Sequence, residues 1–185
     1  MKKYIIFFIL ATMSPTLFAQ RMVYRQKSVE VNAGFLNTNN VGENFYLNLS
    51  LNSFAKHGNY WICGVEYQKK TAEYKNWEIP VEDFLGELGY SVKLLSDSRK
   101  FITVNGGITG VAGYETVNKG DSLLLDGGVL KNKNGFIFGT GGRLSLETYL
   151  SDRIVFMLQA RIRMLWGTDL DRFRPSTGVG LRFNF

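Results

Sequence analysis

The sequence predicts an all-β protein, an eight-stranded antiparallel transmembrane β-barrel with a filled polar lumen, preceded by a cleaved signal peptide. Three observations lead to this prediction: an export signal at the start, eight strand-like segments whose two faces differ in polarity, and a last segment that ends on phenylalanine. After the export signal no run of about 18 consecutive apolar residues remains. Any membrane span must therefore be built from strands.

The export signal consists of a basic start, the apolar run Ile5–Leu10 and the small residue Ala19 before the expected cleavage point. The chain that follows is about 165 residues long, has no linker rich in proline or serine, and suits one domain. The predicted organisation is a signal peptide at 1–19, a periplasmic N-terminal tail at 20–27 and an outer-membrane barrel at 28–185.

Charge and cysteine content narrow the function classes. The formal charge of +6 falls to +4 when Lys2 and Lys3 leave with the signal, and the remaining basic residues are spread along the chain. A nucleic-acid-binding protein more often gathers its basic residues on one stripe, so no direct nucleic-acid partner is expected. Cys63 is the sole cysteine, so the chain has no internal disulfide and its stability must come from the sheet.

Eight segments rich in β-branched and aromatic residues are predicted as strands. They lie at Val29–Phe35, Phe45–Ser53, Tyr60–Thr71, Phe84–Leu95, Phe101–Thr116, Phe136–Leu150, Ile154–Gly167 and Thr177–Phe185. The connections between them alternate between tight polar turns and longer hydrophilic loops. The long loops are predicted at Asn37–Glu43, Ala72–Asp83, Val117–Gly135 and Thr168–Ser176. This alternation is typical of a transmembrane barrel that has its long loops outside and both termini in the periplasm.

Successive side chains of a strand point to opposite faces, so each segment can be divided into an apolar and a polar face. In the seventh segment Phe156, Leu158 and Ile162 share one face, whereas Arg161 and Arg163 lie on the other. The ionisable residues on the polar faces are Glu30, Glu66, Glu87, Glu147, Arg143, Arg161, Arg163 and Arg182. An eight-stranded barrel is just wide enough for side chains to fill it, and buried charges must be paired. We therefore predict a network of ion pairs in the lumen and no open diffusion pore.

The last segment carries a predicted assembly signal. Val179, Leu181, Phe183 and Phe185 alternate with small or polar residues and make an apolar edge that ends in phenylalanine. Bacterial outer-membrane barrels typically finish in this way. The expected partners are thus outer-membrane lipid and the barrel-assembly machinery.

The longest loop offers a candidate contact with other proteins. Leu123, Leu124 and Leu125 stand between hydrophilic stretches of the predicted loop Val117–Gly135. Exposed leucines on an external loop favour a protein partner. The alternative is that they pack over the barrel mouth or extend a strand.

The sequence gives little support for catalysis, and no catalytic, cofactor-binding or metal-binding residues are predicted. His57 is the only histidine and lies in a tight turn, where nothing holds it as a catalytic base. One histidine and one cysteine cannot supply a typical zinc site. The four lumen glutamates could act as an acid and base pair, but an arginine is available to keep each of them ionised. The prediction is a protein that is not an enzyme.

Several stretches resemble the TraO family of Bacteroides-type conjugative transposons. They are Val111–Glu115, Gly141–Arg153, Leu165–Leu170 and Arg172–Phe185. The resemblance implies an outer-membrane component of a type IV-like conjugal transfer apparatus that contacts other conjugation proteins, and it brings no catalytic residues. Two alternatives stay open: a small outer-membrane enzyme or lipid-binding barrel, and a structural outer-membrane protein unrelated to DNA transfer.

Overall fold

The computed structural model describes residues 23–36, 44–74, 77–98, 101–118, 134–168 and 171–185. Eight strands and one short 3-10 turn make up the fold. They are β1 (Lys27–Leu36), β2 (Phe45–Phe54), the 3-10 turn Lys56–Gly58, β3 (Tyr60–Tyr74), β4 (Trp77–Ser96), β5 (Ile102–Val117), β6 (Asn134–Tyr149), β7 (Ile154–Trp166) and β8 (Phe173–Asn184). The predicted signal peptide, residues 1–19, lies outside the described residues.

The strands form a closed barrel in which each pairs with its neighbours in sequence and β8 pairs with β1. Every pairing is antiparallel. The eight-stranded antiparallel barrel predicted from the sequence is therefore confirmed. Closure matters physically because it leaves no strand edge with unpaired backbone groups around the wall.

The strands are strongly tilted, as the register shows. Backbone hydrogen bonds place Phe54 beside Gln26, just before β1 begins. Following the paired residues from Phe54 around the wall through β3 to β8 leads back to Leu36, at the opposite end of β1. Such a stagger closes a narrow barrel whose interior only side chains can fill.

Burial alternates along each strand with a period of two. In β7 the pattern runs exposed, buried, half-buried, buried and then strictly alternates to Trp166. The same alternation runs through β1 and β2. One set of side chains thus faces the lumen and the other forms the outer wall, as the pleat of a strand requires.

Two predicted loops are wrong in part. The segment Ala72–Asp83 is not a long loop, because β3 continues to Tyr74 and β4 already begins at Trp77. Pro80, which has no backbone N–H, pairs with Thr71 near the outer end of the hairpin. Ile79 and Val81 flank it and are buried, which explains why the strand continues through the proline.

The second correction concerns the start of β8. The segment Thr168–Ser176 was predicted as a loop, but β8 begins at Phe173 and pairs with Met164 of β7. Pro175 lies opposite Ile162 on the outer wall. At the other chain end, Lys27 belongs to β1 and not to the predicted N-terminal tail.

Candidate functional site

The lumen holds all the ionisable residues that the sequence assigned to polar faces. Each of the eight is at most 6% exposed. Strand alternation accounts for this placement, because each of them lies on the inward phase of its strand. The structure brings them together in two connected layers, and it adds a third layer that the sequence analysis did not find.

The layer near the short turns is centred on Arg182 of β8. Its NH2 atom lies 2.9 Å from Glu30 Oε2 and its NH1 atom lies 2.8 Å from Glu147 Oε2. The guanidinium carbon lies 4.4 Å from the centroid of the Tyr60 ring. Tyr60 also donates a 2.8 Å hydrogen bond to Glu147. Arginine suits this position because it can pair through its planar fork and stack on an aromatic face at once.

Glu30 joins this layer to the next. Arg143 donates to it over 2.7 Å, and Gln159 donates over 2.9 Å. The side-chain amides of Asn32 and Asn52 donate two further hydrogen bonds. A buried carboxylate with this many donors offsets much of the cost of leaving water.

The middle layer crosses the barrel from β7 to β3 and β4. Arg161 NH1 lies 2.6 Å from Glu66 Oε2. Arg163 pairs with Glu66 through NH1 and with Glu87 through NH2, the latter at 2.9 Å. Asn48 donates to both glutamates. These bonds join strands on opposite sides of the lumen and so fill its centre.

The third layer lies near the outer ends of β4, β5 and β8. Arg174 pairs with Asp83 and lies 2.7 Å from Glu115. Thr168 donates a 2.7 Å hydrogen bond to Glu115, and Lys70 is buried among these charges. This layer was not predicted: Asp83 and Arg174 fell in predicted loops, and Lys70 and Glu115, although inside predicted strands, were not assigned to a polar face. Continuing the alternation from Glu87 back to Asp83, and from Arg182 back to Arg174, was the signal that could have found it.

The buried charges balance. Among the described residues, the buried ionisable side chains comprise six carboxylates and six cations. The cations are Lys70, Arg143, Arg161, Arg163, Arg174 and Arg182, and the carboxylates are Glu30, Glu66, Asp83, Glu87, Glu115 and Glu147. A closed interior requires such a balance because an unpaired buried charge is strongly destabilising.

Inward glycines make room for the arginine stems. A Cβ atom on Gly107 would lie 3.1 Å from Cγ of Arg143, its cross-strand partner. A Cβ atom on Gly141 would lie 3.1 Å from Cγ of Arg163, again the cross-strand partner. Here glycine serves the close approach of a neighbouring side chain.

A tyrosine lies across the seam between β1 and β8. Gly34 and Gly178 are paired across this seam, and Tyr46 of β2 is opposite Gly34. A Cβ on Gly34 would lie 2.6 Å from Tyr46 Cε1, and one on Gly178 would lie 2.2 Å from the Tyr46 hydroxyl. The guanidinium carbon of Arg161 lies 3.7 Å from the ring centroid. The ring thus fills the space that two glycines leave open.

Apolar side chains complete the filling. Leu85, Val111, Ile137 and Leu165 form a buried cluster on the β4–β7 side. Two further clusters lie near the short turns, and their members are Phe54, Tyr60, Ile62, Tyr149, Val155 and Met157. The short-turn end of the lumen therefore has an apolar floor beneath the Arg182 layer.

The outer wall is apolar and carries aromatic pairs near both ends. The Trp61 and Tyr90 rings are 4.7 Å apart near the short turns. Near the opposite end, where β7 finishes, the Phe138 and Trp166 rings are 6.1 Å apart. Large side chains between the two ends are exposed, such as Leu88 at 67% and Ile108 at 75%.

The remaining predicted residues fall on the outer wall or outside the described part of the chain. Val179, Leu181, Phe183 and Phe185 are all exposed on the outside of the barrel. The candidate partner residues Leu123, Leu124 and Leu125 lie outside the described residues. In the described ranges, no helix is long and apolar enough to cross a membrane. Within the same ranges, no group of histidine, cysteine, aspartate and glutamate residues is arranged to hold a metal ion.

Comparison with protein families identifies the chain. The family model described as conjugative transposon protein TraO matches residues 23–185. The chain belongs to the TraO family. The match spans the whole described barrel, and the family description names conjugation and no enzymatic reaction.

Solved structures similar to this TraO family member share its fold. The N-terminal β-barrel domain of Pseudomonas aeruginosa OprF has 10% sequence identity and a TM-score of 0.51, with 87% of this chain and 98% of that chain covered. Neisserial surface protein A (NspA) has 11% identity and a TM-score of 0.53, with 86% and 95% covered. No curated protein matches the chain.

Proposed function

We propose that the chain is a non-enzymatic outer-membrane barrel of a type IV-like conjugative transfer apparatus. In this role it anchors the apparatus in the envelope or contacts other conjugation proteins through its external loops. The observation that carries the proposal is the combination of a TraO family match over residues 23–185 with a closed barrel whose outside is apolar and whose inside is ionic.

The distribution of polarity supports the membrane setting. Side chains such as Leu49, Val65 and Leu144 are 50% or more exposed on the outer wall, while the charged residues are enclosed. Soluble proteins rarely expose a contiguous apolar surface larger than a few hundred Å². A lipid environment removes the cost of that exposure, and aromatic pairs near both ends of the wall suit its two interfaces with water.

The filled lumen supports a structural role and argues against a conduit for DNA. Arg163 and Arg174 each cross the lumen to carboxylates on the opposite wall. A single DNA strand needs a wide charged channel, which these side chains block. Transferred DNA must then pass by another route.

The state of the lumen carboxylates supports a protein that is not an enzyme. Glu30, Glu66, Glu87 and Glu147 each accept a hydrogen bond from at least one buried arginine. Because its oxygens are occupied by these donors, a carboxylate held in this way is a structural member of the network and not a free acid or base. The enclosed position also leaves no path by which a substrate can reach it.

The longest external connection, residues 119–133 between β5 and β6, is the proposed partner contact. It contains a run of three leucines, Leu123, Leu124 and Leu125, and a second apolar pair, Val129 and Leu130, among hydrophilic residues. Loops displayed by a rigid scaffold commonly carry the binding function of a protein.

Deletion of the coding sequence from its mobile element tests this function. Donor cells lacking the chain should lose transfer, and the intact chain supplied in trans should restore it. A variant with Leu123, Leu124 and Leu125 changed to serine should reach the outer-membrane fraction but restore transfer poorly. Normal transfer without the chain overturns the conjugation role, and recovery of the chain in the soluble periplasmic fraction overturns the membrane role.

A further inference from the structure

A groove of about 800 Å³ runs along the outer wall over β1 to β4. Its outward-facing lining consists of Lys27, Leu51, Ser53, Trp61, Cys63, Leu88 and Phe185. Most of this lining is apolar, and Lys27 is the one basic side chain in it. The groove therefore combines an apolar lining with one basic side chain, unlike an ordinary patch of lipid-facing wall, which is apolar throughout.

The position of each residue along its strand gives the groove a direction. Lys27 is the first residue of β1, and its carbonyl accepts a 2.9 Å hydrogen bond from the Phe185 backbone N–H. Leu51, Cys63 and Leu88 are successive cross-strand partners that lie further from the short-turn end. The groove thus has a cationic end at the rim and an apolar end toward the middle of the wall.

Two other concavities on the same wall lack this feature. One of about 680 Å³ has Val31, Leu49 and Val65 in its outward lining. The other, of about 750 Å³, has two arginines in its lining, Arg143 and Arg161, but the side chains of both face the lumen. Of these three concavities, only the first has an outward-facing cation.

We propose that the first groove binds one phospholipid of the periplasmic leaflet. An acyl chain lies along Leu51, Cys63 and Leu88, and the phosphate lies beside Lys27. Burial of an acyl chain between protruding side chains is favourable because it fills space that a flat wall leaves unpacked. Each surface cation near a lipid phosphate adds about 1 kcal/mol.

This inference rests on the proposed membrane setting but not on the role in conjugation. The test measures retained lipid by native mass spectrometry of the mature chain, refolded in a mild detergent and mixed with phosphatidylglycerol. Lys27→Gln removes the cation, and Cys63→Trp fills the apolar part of the groove. Lys56→Gln, on the exposed turn at the same rim, and Leu158→Trp, on the outer wall of β7, are the matched controls.

The intact chain and both controls should retain one phosphatidylglycerol molecule. Lys27→Gln should lower the retained fraction about fivefold, as expected for the loss of one surface cation, and Cys63→Trp should abolish retention. Diacylglycerol, which has the acyl chains without the phosphate, should be retained as poorly by the intact chain as phosphatidylglycerol is by Lys27→Gln. Equal retention by all four variants overturns the proposal, as does equal retention of the two lipids. Neither result bears on conjugal transfer, which is measured separately.

Discussion

The guanidinium of Arg161 lies over the ring of Tyr46, with its central carbon 3.7 Å from the ring centroid. The same arginine extends across the lumen and pairs with Glu66 at 2.6 Å. Tyr46 in turn occupies the space above the paired glycines Gly34 and Gly178. One contact therefore connects the ion-pair network to the seam where the first and last strands meet.

Removing Arg161 should weaken the barrel as a whole. In Arg161→Ala, Glu66 keeps its pair with Arg163 but loses one charged donor, and the Tyr46 ring loses its stacking partner. The free energy of unfolding in detergent micelles should fall by about 2 kcal/mol. Arg153→Ala, in an exposed turn, is the control and should change it by less than about 0.5 kcal/mol. Equal urea midpoints for the two variants count against the network as a source of stability.

The seam should not tolerate a methyl group at Gly178. A Cβ there would lie 2.2 Å from the Tyr46 hydroxyl and 2.4 Å from the Ala33 carbonyl oxygen. Gly178→Ala should therefore cost about 1–3 kcal/mol of stability through overpacking. Gly142→Ala provides the comparison, because no atom lies within 4 Å of its added Cβ. Urea titrations of both variants measure the difference, and similar midpoints contradict the crowded seam.

Removing Arg174 alone should lower the free energy of unfolding much more than removing it together with its charged partners. Arg174→Met leaves Asp83 and Glu115 without their paired cation and should destabilise the barrel by about 3–5 kcal/mol. Adding Asp83→Leu, Glu115→Leu and Lys70→Met should recover most of that loss, since apolar groups then replace the complete ionic cluster, including the buried Lys70. A quadruple variant as unstable as the single one would show that the cluster contributes more than charge pairing.

The lumen should not conduct ions. Three ionic layers and the apolar floor that contains Phe54 and Met157 fill the interior from end to end. The purified barrel in planar lipid bilayers should produce no steady open-channel current, because no continuous water column passes the arginines. Regular single-channel steps from the intact chain, absent from bilayers without protein, contradict this expectation.

The Phe185 side chain should contribute more to assembly of the barrel into the outer membrane than to the stability of the folded barrel. Its side chain is 70% exposed and its backbone pairs with Lys27, so Phe185→Ala removes little internal packing. If it forms part of the assembly signal, the variant should accumulate poorly in the outer membrane yet refold normally in detergent. Phe173→Ala, which truncates an exposed phenylalanine at the other end of β8, is the control. Equal membrane levels of the two variants argue against the signal.

The part of the lumen site that could be predicted from the sequence follows from the alternation of side chains along each strand. The inward positions of Glu30 on β1 and Arg163 on β7 follow from the period of two alone, and the eight strands follow from their β-branched and aromatic composition. Local composition misplaced the starts of β4 and β8, whose first residues, including Pro80 and Pro175, were predicted as loops. Both prolines are accommodated near the outer ends of strands, where a missing N–H donor disrupts little of the ladder.

The sequence did not predict which side chains form ion pairs across the lumen. Alternation predicts that Arg174 and Glu115 share a face, but it does not say that the two meet, since 59 positions separate them. Their contact depends on the stagger of the closed barrel, which determines the height of each inward residue.

The sequence by itself determined the class of fold, the division of each strand into an apolar face and an ionic face, and the near balance of the inward charges. These properties follow from the geometry of a single strand, which repeats around the barrel. Only the tertiary structure decided which arginine pairs with which carboxylate, that Tyr46 covers the seam glycines, and that a groove with a cationic end opens on the wall. Those features depend on the register of all eight strands at once, and a closed barrel fixes that register only when its last pair forms.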